Sequence, residues 1–294
     1  MTPGLDFGVA FANVGPNASA QAAIRLAVAT EAAGFESLWT ADHVVVPAGY
    51  RSIYPYDPTG RLPSEEVAFP DPLVWMAFVA ARTTTLRLGT GILVLPQRNP
   101  LVLAKQVATL DHLAEGRVIL GVGLGWLREE FDALGVPFDG RGRRADEAVG
   151  AMRALWSEGR ATFHGETVAF DDCVLRPRPP AGAVPIHVGG HTEAAARRAG
   201  RLGDGFFPFG VDRERLGALV TTMRRAAEEA GRDPSSLEVS VGATRRGGEE
   251  ALDEARALAA LGATRLLVPA AFFGDDPRGP LAAYASGVIE RYGA

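Results

Sequence analysis

Eight short apolar runs punctuate the chain: "LDFGVAF" (5–11), "ESLWTAD" (36–42), "LRLGTGILV" (86–94), "RVILGVG" (117–123), "VPIHVGG" (184–190), "DGFFPFG" (204–210), "LEVSVGA" (237–243) and "TRLLVPA" (264–270). Most do not alternate strictly between apolar and polar positions, as expected of parallel strands covered on both faces. Helical patterns separate them. "SAQAAIRLAVATEAAG" (19–34) places Ile24, Ala27, Val28 and Ala32 on one face and stops at Gly34, a residue suited to a C-cap. "NPLVLAKQVATLDHLAEG" (99–116) opens on Asn-Pro, an N-cap and first-turn proline, and closes on Gly116. Further helices are expected over 143–159, 192–203, 212–231 and 247–262. Eight strands alternating with helices predict an α/β fold, a (β/α)8 TIM barrel occupying residues 1–294 as one domain. A doubly wound sheet is the alternative, and the regular alternation favours closure.

Two stretches interrupt the pattern, one after the second strand and one before the fifth. Residues 47–70 are rich in Pro, Tyr and polar side chains. They follow a strand's C-terminal end, where barrels build their sites, and are read as a substrate or cofactor loop. Residues 160–183 read as a small β-hairpin followed by a proline segment.

Composition narrows the function classes. The 294 residues are 47% hydrophobic and 22% charged, ordinary for a soluble globular protein. The single cysteine, Cys173, allows no intramolecular disulfide and fits a reducing, cytoplasmic setting. The start, "MTPGLDFGVAF", lacks the basic and apolar segments of a signal peptide, and no run is long enough for a membrane helix. A net charge of −5 speaks against a nucleic-acid partner.

The candidate chemistry lies at the strand ends. The second strand runs into Asp42-His43, an acid and an imidazole inside "FESLWTADHVVVP". The third ends in "GTGI", the fourth in "GVGLGW" and the fifth in "GGHT". Glycine lets a backbone approach a ligand, and Gly189-Gly190-His191-Thr192 directly precedes a helix whose N-terminus suits a phosphate. Thr192 is equally a plain N-cap. "GVGLGW" departs from the G-x-G-x-x-G dinucleotide fingerprint. No H-E-x-x-H, cysteine pair or G-x-S-x-G occurs, so no metal site or serine nucleophile is expected. His187 and His112 fall within a strand and a helix and read as packing residues. The only lysine, Lys105, falls in a predicted helix, which disfavours a Schiff-base aldolase.

Three stretches, "AAGFESLWTADHVVVP" (32–47), "TTTLRLGTGILVLPQRNPLVLAKQVATLDHLAEGRVILGVGLGW" (83–126) and "VPIHVGGHTEAAARRAGRLGDGFFP" (184–208), resemble the luciferase-like monooxygenase superfamily, and within it the coenzyme F420-dependent oxidoreductases. The resemblance covers most of residues 5–210. It implies a barrel holding a deazaflavin, or alternatively FMN, at its C-terminal face, with Asp42 and His43 beside the ring and His43 acting in proton transfer or ring positioning. It implies a non-prolyl cis peptide at Gly91-Ile92 behind the ring. It implies a cofactor phosphate at Gly189, Gly190, His191 and Thr192, with Gly121, Val122 and Gly123 nearby. Trp126 stands where the sugar-phosphate dehydrogenase branch has a glutamate, and Pro47 where that branch has a tryptophan, so that substrate is not carried over. Trp126 is taken as part of the cofactor pocket. Arg51, Arg61, Arg98, Arg141, Arg143 and Arg144 are the basic residues expected near the mouth, suited to an anionic cofactor tail. The resemblance further implies a small organic substrate, a homodimer and a flavin or F420 reductase as electron source. An FMN-dependent monooxygenase using O2 and a flavin-binding barrel without turnover are the rival readings.

Overall fold

The computed structural model describes residues 4–157 and 159–294, so residues 1–3 of the expected start and residue 158 of the expected 143–159 helix lie outside the described residues. In chain order the strands are β1 (Asp6–Ala10), β2 (Ser37–Thr40), β3 (Arg87–Thr90), β4 (Leu93–Val94), β5 (Val118–Gly123), β6 (Ala161–His164), β7 (Ala169–Cys173), β8 (Ile186–Gly189), β9 (Gly205–Phe207), β10 (Glu238–Gly242) and β11 (Arg265–Pro269). Each of the eight expected strands forms. β1 pairs with both β2 and β11, and the circuit runs on through β3, β5, β8, β9 and β10, every pairing parallel. The ring is therefore a closed (β/α)8 barrel. β4 continues the third barrel strand beyond Gly91-Ile92 and pairs with β5. β6 and β7 form the expected antiparallel hairpin.

The helices are α1 (Ala20–Ala32), α2 (Pro72–Ala80), α3 (Pro100–Leu113), α4 (Arg128–Ala133), α5 (Arg141–Trp156), α6 (Glu193–Leu202), α7 (Arg213–Glu229), α8 (Gly248–Ala260), α9 (Arg278–Tyr284) and α10 (Glu290–Gly293). α3 starts as its Asn-Pro predicted, the Asn99 side chain accepting from the amides of Leu101 and Val102. The buried face of α1 differs from expectation. It follows Ala23, Leu26, Ala27 and Thr30, while Val28 is 41% exposed and Ala32 faces out. In an alanine-rich helix small residues occur on both faces, and Leu26 decides which is buried.

Four of these helices, α2, α4, α9 and α10, have no counterpart among the helices expected from the sequence. α2 is apolar on all sides, which erases the helical period, yet Asp71 caps it through the amides of Leu73 and Val74 and Pro72 opens it. α4 is six residues long and carries the site described below.

Inside the barrel, Trp39, Ile119, Phe207 and Leu267 form a small core of their own. The Trp39 indole lies so close to Gly89 that a Cβ there would sit 2.6 Å from the ring. Below it, at the strand N-termini, the fully buried Arg265 donates to Glu36 at 2.9 Å and to Glu238 at 2.7 Å. Arg87 joins Glu36 at 3.0 Å. The barrel is thus plugged by an ion network at one end, which leaves the C-terminal end for chemistry.

Candidate active site

The chain leaving β2 is clamped before it reaches the mouth. Buried Asn13 accepts from the Ala41 amide at 2.8 Å and donates to the carbonyls of Ala41 and Pro70, both at 2.9 Å. Asp42 comes next, and both of its oxygens are taken: Oδ2 accepts from the Val94 amide at 2.9 Å and Oδ1 from Arg98 Nη2 at 2.8 Å. Arg98 also reaches Asp71 at 3.0 Å. Asp42 therefore pins β4 and the start of the α3 segment.

His43 is held by a residue the sequence reading did not include. Its Nδ1 lies 3.1 Å from Oε2 of Glu130, which is 1% exposed on α4. Glu130 Oε1 accepts from the Val44 amide at 2.6 Å and from the Val45 amide at 3.3 Å. Burial pushes the Glu130 pKa up, but the hydrogen bond and charge of His43 and the Val44 amide outweigh it and hold the group below its ordinary value. An ionised carboxylate only accepts, so Nδ1 carries the hydrogen and Nε2 is the position that gains or loses a proton. That is the arrangement of an oriented general acid or base.

The preceding residue, Glu129, holds the 47–70 insertion. Its Oε1 accepts from the amides of Arg51 at 2.8 Å and Ser52 at 3.2 Å, and its Oε2 from the Ser52 hydroxyl at 2.7 Å. The Ser52 hydroxyl and the Arg51 amide bring its pKa down to about 2. One short helix thus grips both the histidine and the loop beside it.

The glycine-rich strand ends serve the protein's own packing first. The peptide between Gly91 and Ile92 is cis, at the position the resemblance implied. The Ile92 side chain lies across two neighbouring strands: a Cβ at Gly123 or at Gly189 would sit 2.5 Å from it. A Cβ at Gly121 would sit 1.8 Å from the Thr90 carbonyl oxygen. Gly123 and Gly189 leave room for Ile92, and Gly121 for the β3 backbone. Val122 is buried between them, paired with Val188 and Leu93. Gly190 turns the chain at φ +137°, and the Thr192 hydroxyl accepts from the Ala195 amide at 3.2 Å as the N-cap of α6. His191 differs from its neighbours, because its Nδ1 is buried without a hydrogen-bond partner.

Aromatic rings line the mouth. His43 meets Phe69 at 5.2 Å and Trp126 at 5.8 Å between ring centroids. Trp126 also meets Tyr50 at 5.4 Å and Tyr54 at 5.1 Å, and Tyr56 meets His191 at 5.3 Å. The insertion thus lays three tyrosines over the barrel end. The expected basic residues are mostly engaged. Arg98 is in the Asp42 pair, Arg61 lies over the Tyr50 ring, Arg141 over Phe138, Arg143 pairs with Glu166, and Arg144 donates to the Pro137 and Asp139 carbonyls. Lys105 lies on α3, where its Nζ donates to the Arg176 carbonyl. Among the described residues no three His, Cys, Asp or Glu side chains are grouped to hold a metal, and no helix is long and apolar enough to cross a membrane.

A closed (β/α)8 barrel with a carboxylate-oriented imidazole at its C-terminal mouth is the frame of an enzyme site. Residues 5–279 match the luciferase-like monooxygenase family model, and the chain belongs to that family. An uncharacterised protein of Mycobacterium tuberculosis is 39% identical over 74% of this chain and 75% of its own length. The F420-dependent glucose-6-phosphate dehydrogenase of Kineococcus radiotolerans is 36% identical over 73% of this chain and 60% of its own. The FMNH2-dependent dimethylsulfone monooxygenase of Pseudomonas fluorescens is 35% identical over 69% of this chain and 52% of its own. Among solved structures, the coenzyme F420-dependent tetrahydromethanopterin reductase of Methanopyrus kandleri superposes with a TM-score of 0.79 over 98% of this chain and 99% of that one, at 17% identity, a likeness of fold alone. The family thus includes both F420-dependent and FMN-dependent oxidoreductases.

Proposed function

We propose that the chain is an F420-dependent oxidoreductase that transfers a hydride between the deazaflavin C5 and a small organic substrate. The observation that carries this reading is the His43–Glu130 pair just beyond the C-terminal end of β2, in which Glu130 takes Nδ1 and leaves Nε2 to a substrate. The residues present fit such a cofactor. Gly91 and Ile92, both partly exposed, would floor its ring, with Trp126 at the edge. The turn Gly189–Thr192, with the unpartnered His191 Nδ1, would take its phosphate beside Val122 and Gly123. When bound, the deazaflavin supplies two-electron hydride chemistry. His43 Nε2 gives or takes the substrate's proton, Glu130 stabilises the imidazolium, and Asp42 keeps the third barrel strand in place. His43→Ala should lower turnover about 10²- to 10⁴-fold while changing F420 affinity only a few-fold. Unchanged turnover would refute the role.

The Pseudomonas relative favours a second reading, in which reduced FMN arrives from a separate reductase and O2 is consumed. Oxygen uptake in the presence of reduced FMN distinguishes it from the F420 reaction. We also infer a homodimer. The outer face of α2 exposes Val74 at 70% and Phe78 at 44%, α3 exposes Val102 and Leu113, and a helix apolar all round is normally buried.

A further inference from the structure

Resting on the oxidoreductase reading, we infer that the substrate is an uncharged molecule with a flat apolar body and one carbonyl or hydroxyl oxygen, and that phosphorylated or carboxylated molecules are excluded. The first support is an unbroken strip of rings. From Trp126 it passes to Tyr54 at 5.1 Å, to Tyr56 at 5.5 Å and to Phe209 at 5.1 Å, with His43 at its other end. Each of these rings is partly exposed, although Phe209 also packs against the inner barrel core. The rings meet tilted or edge to face, and such partly exposed aromatic groups at a barrel mouth suit an apolar partner that can slot between them.

The second support is the state of the nearby charges. Arg98 is shared between Asp42 and Asp71. Arg61 lies 4.8 Å over the Tyr50 ring and donates to the Tyr50 carbonyl. Glu129 and Glu130 are each filled by donors from the chain. A phosphate or carboxylate placed against the Trp126–Tyr54 end of the strip would lose its water and find Arg61 and Arg98 already engaged, with only the exposed Arg51 of the insertion left to meet it.

Polar handles remain. Neither the Tyr54 nor the Tyr56 hydroxyl has a hydrogen-bond partner among the described residues. Burial, with Tyr56 and Asp57 close by, pushes the Tyr54 pKa up to about 12, so its phenol stays a neutral donor. Such a group suits a carbonyl or alcohol oxygen. The phosphorylated sugar in the name of the Kineococcus relative calls for the opposite lining.

Ligand-observed saturation-transfer NMR on the full chain tests this with three probes: acetophenone, 4-acetylbenzoate and glucose 6-phosphate. Acetophenone should bind at least about tenfold more tightly than either anion. Tyr54→Ala and Trp126→Ala should each weaken it about fivefold, while Tyr54→Phe, which keeps the ring, should lose less. Equal binding of an anion, no binding of acetophenone, or binding indifferent to both alanine variants would overturn the inference. Parallel titrations with F420 and FMN separate the two claims. A protein that binds the ketone but neither cofactor refutes the oxidoreductase reading, and one that binds cofactor but not the ketone refutes the substrate class alone.

Discussion

His43 and Glu130 are 87 residues apart in the chain and 3.1 Å apart in space. Glu130→Gln removes the ionised acceptor that fixes the histidine's tautomer. Turnover should fall about 10²- to 10⁴-fold, as for other imidazoles that lose their orienting carboxylate, and the pH–rate profile should shift with it. An unshifted profile at normal turnover would show that Glu130 is merely structural. Gly121→Ala should destabilise the fold by about 3 kcal/mol or more in urea unfolding, because the new methyl meets the Thr90 carbonyl. Half of the histidine pair was legible in the sequence. An acid and an imidazole in an apolar strand stand out, and His43 did. Glu130 did not, because an acid in the first turn of a helix ordinarily complements the helix dipole in solvent, and only the closed barrel brings it to His43. The glycines were legible as special positions, but no local pattern says whether Ile92 or a ligand fills the space they leave.

At the scale of elements, α4 couples the site to the 47–70 insertion through Glu129. Its pKa is lowered, so its hold on Arg51 and Ser52 is complete above the ordinary glutamate value and is lost as pH falls towards about 2. Limited proteolysis within residues 47–70 should therefore accelerate over that acid window, and Glu129→Gln should accelerate it already at neutral pH. The insertion was legible as a loop of unusual composition, whereas its anchoring was not, since it depends on a helix too short to show a period. α2 escaped for the opposite reason: with every face apolar, no stripe exists to find. That same feature predicts its partner. Val74→Asp with Phe78→Asp should convert a dimer to a folded monomer in analytical ultracentrifugation, and an unchanged sedimentation coefficient would contradict the interface.

Across the whole molecule, the barrel divides its labour between its ends. The buried end is held by Arg265, whose two main partners, Glu36 and Glu238, stay partly exposed. Arg265→Ala should cost about 2–4 kcal/mol in chemical denaturation, with cofactor binding at the far end little changed. Burial pushes the His187 pKa down against the opposing pull of Glu238, while Arg265 and His187 hold Glu238 low despite its burial. A depressed histidine stabilises the fold above its unfolded value, near 6.5, and loses that contribution as pH falls below it. Stability should therefore decline between about pH 7 and pH 5, less steeply in His187→Gln. The eight strands were readable from their apolar runs because both sheet faces are covered, and closure followed from their number. The open end is where the proposed chemistry stands or falls, and fluorescence titration of the purified protein with F420 and with FMN tests it most directly. Saturable, micromolar binding of F420 in preference to FMN is the predicted result, and tight binding of FMN with none of F420 would contradict it.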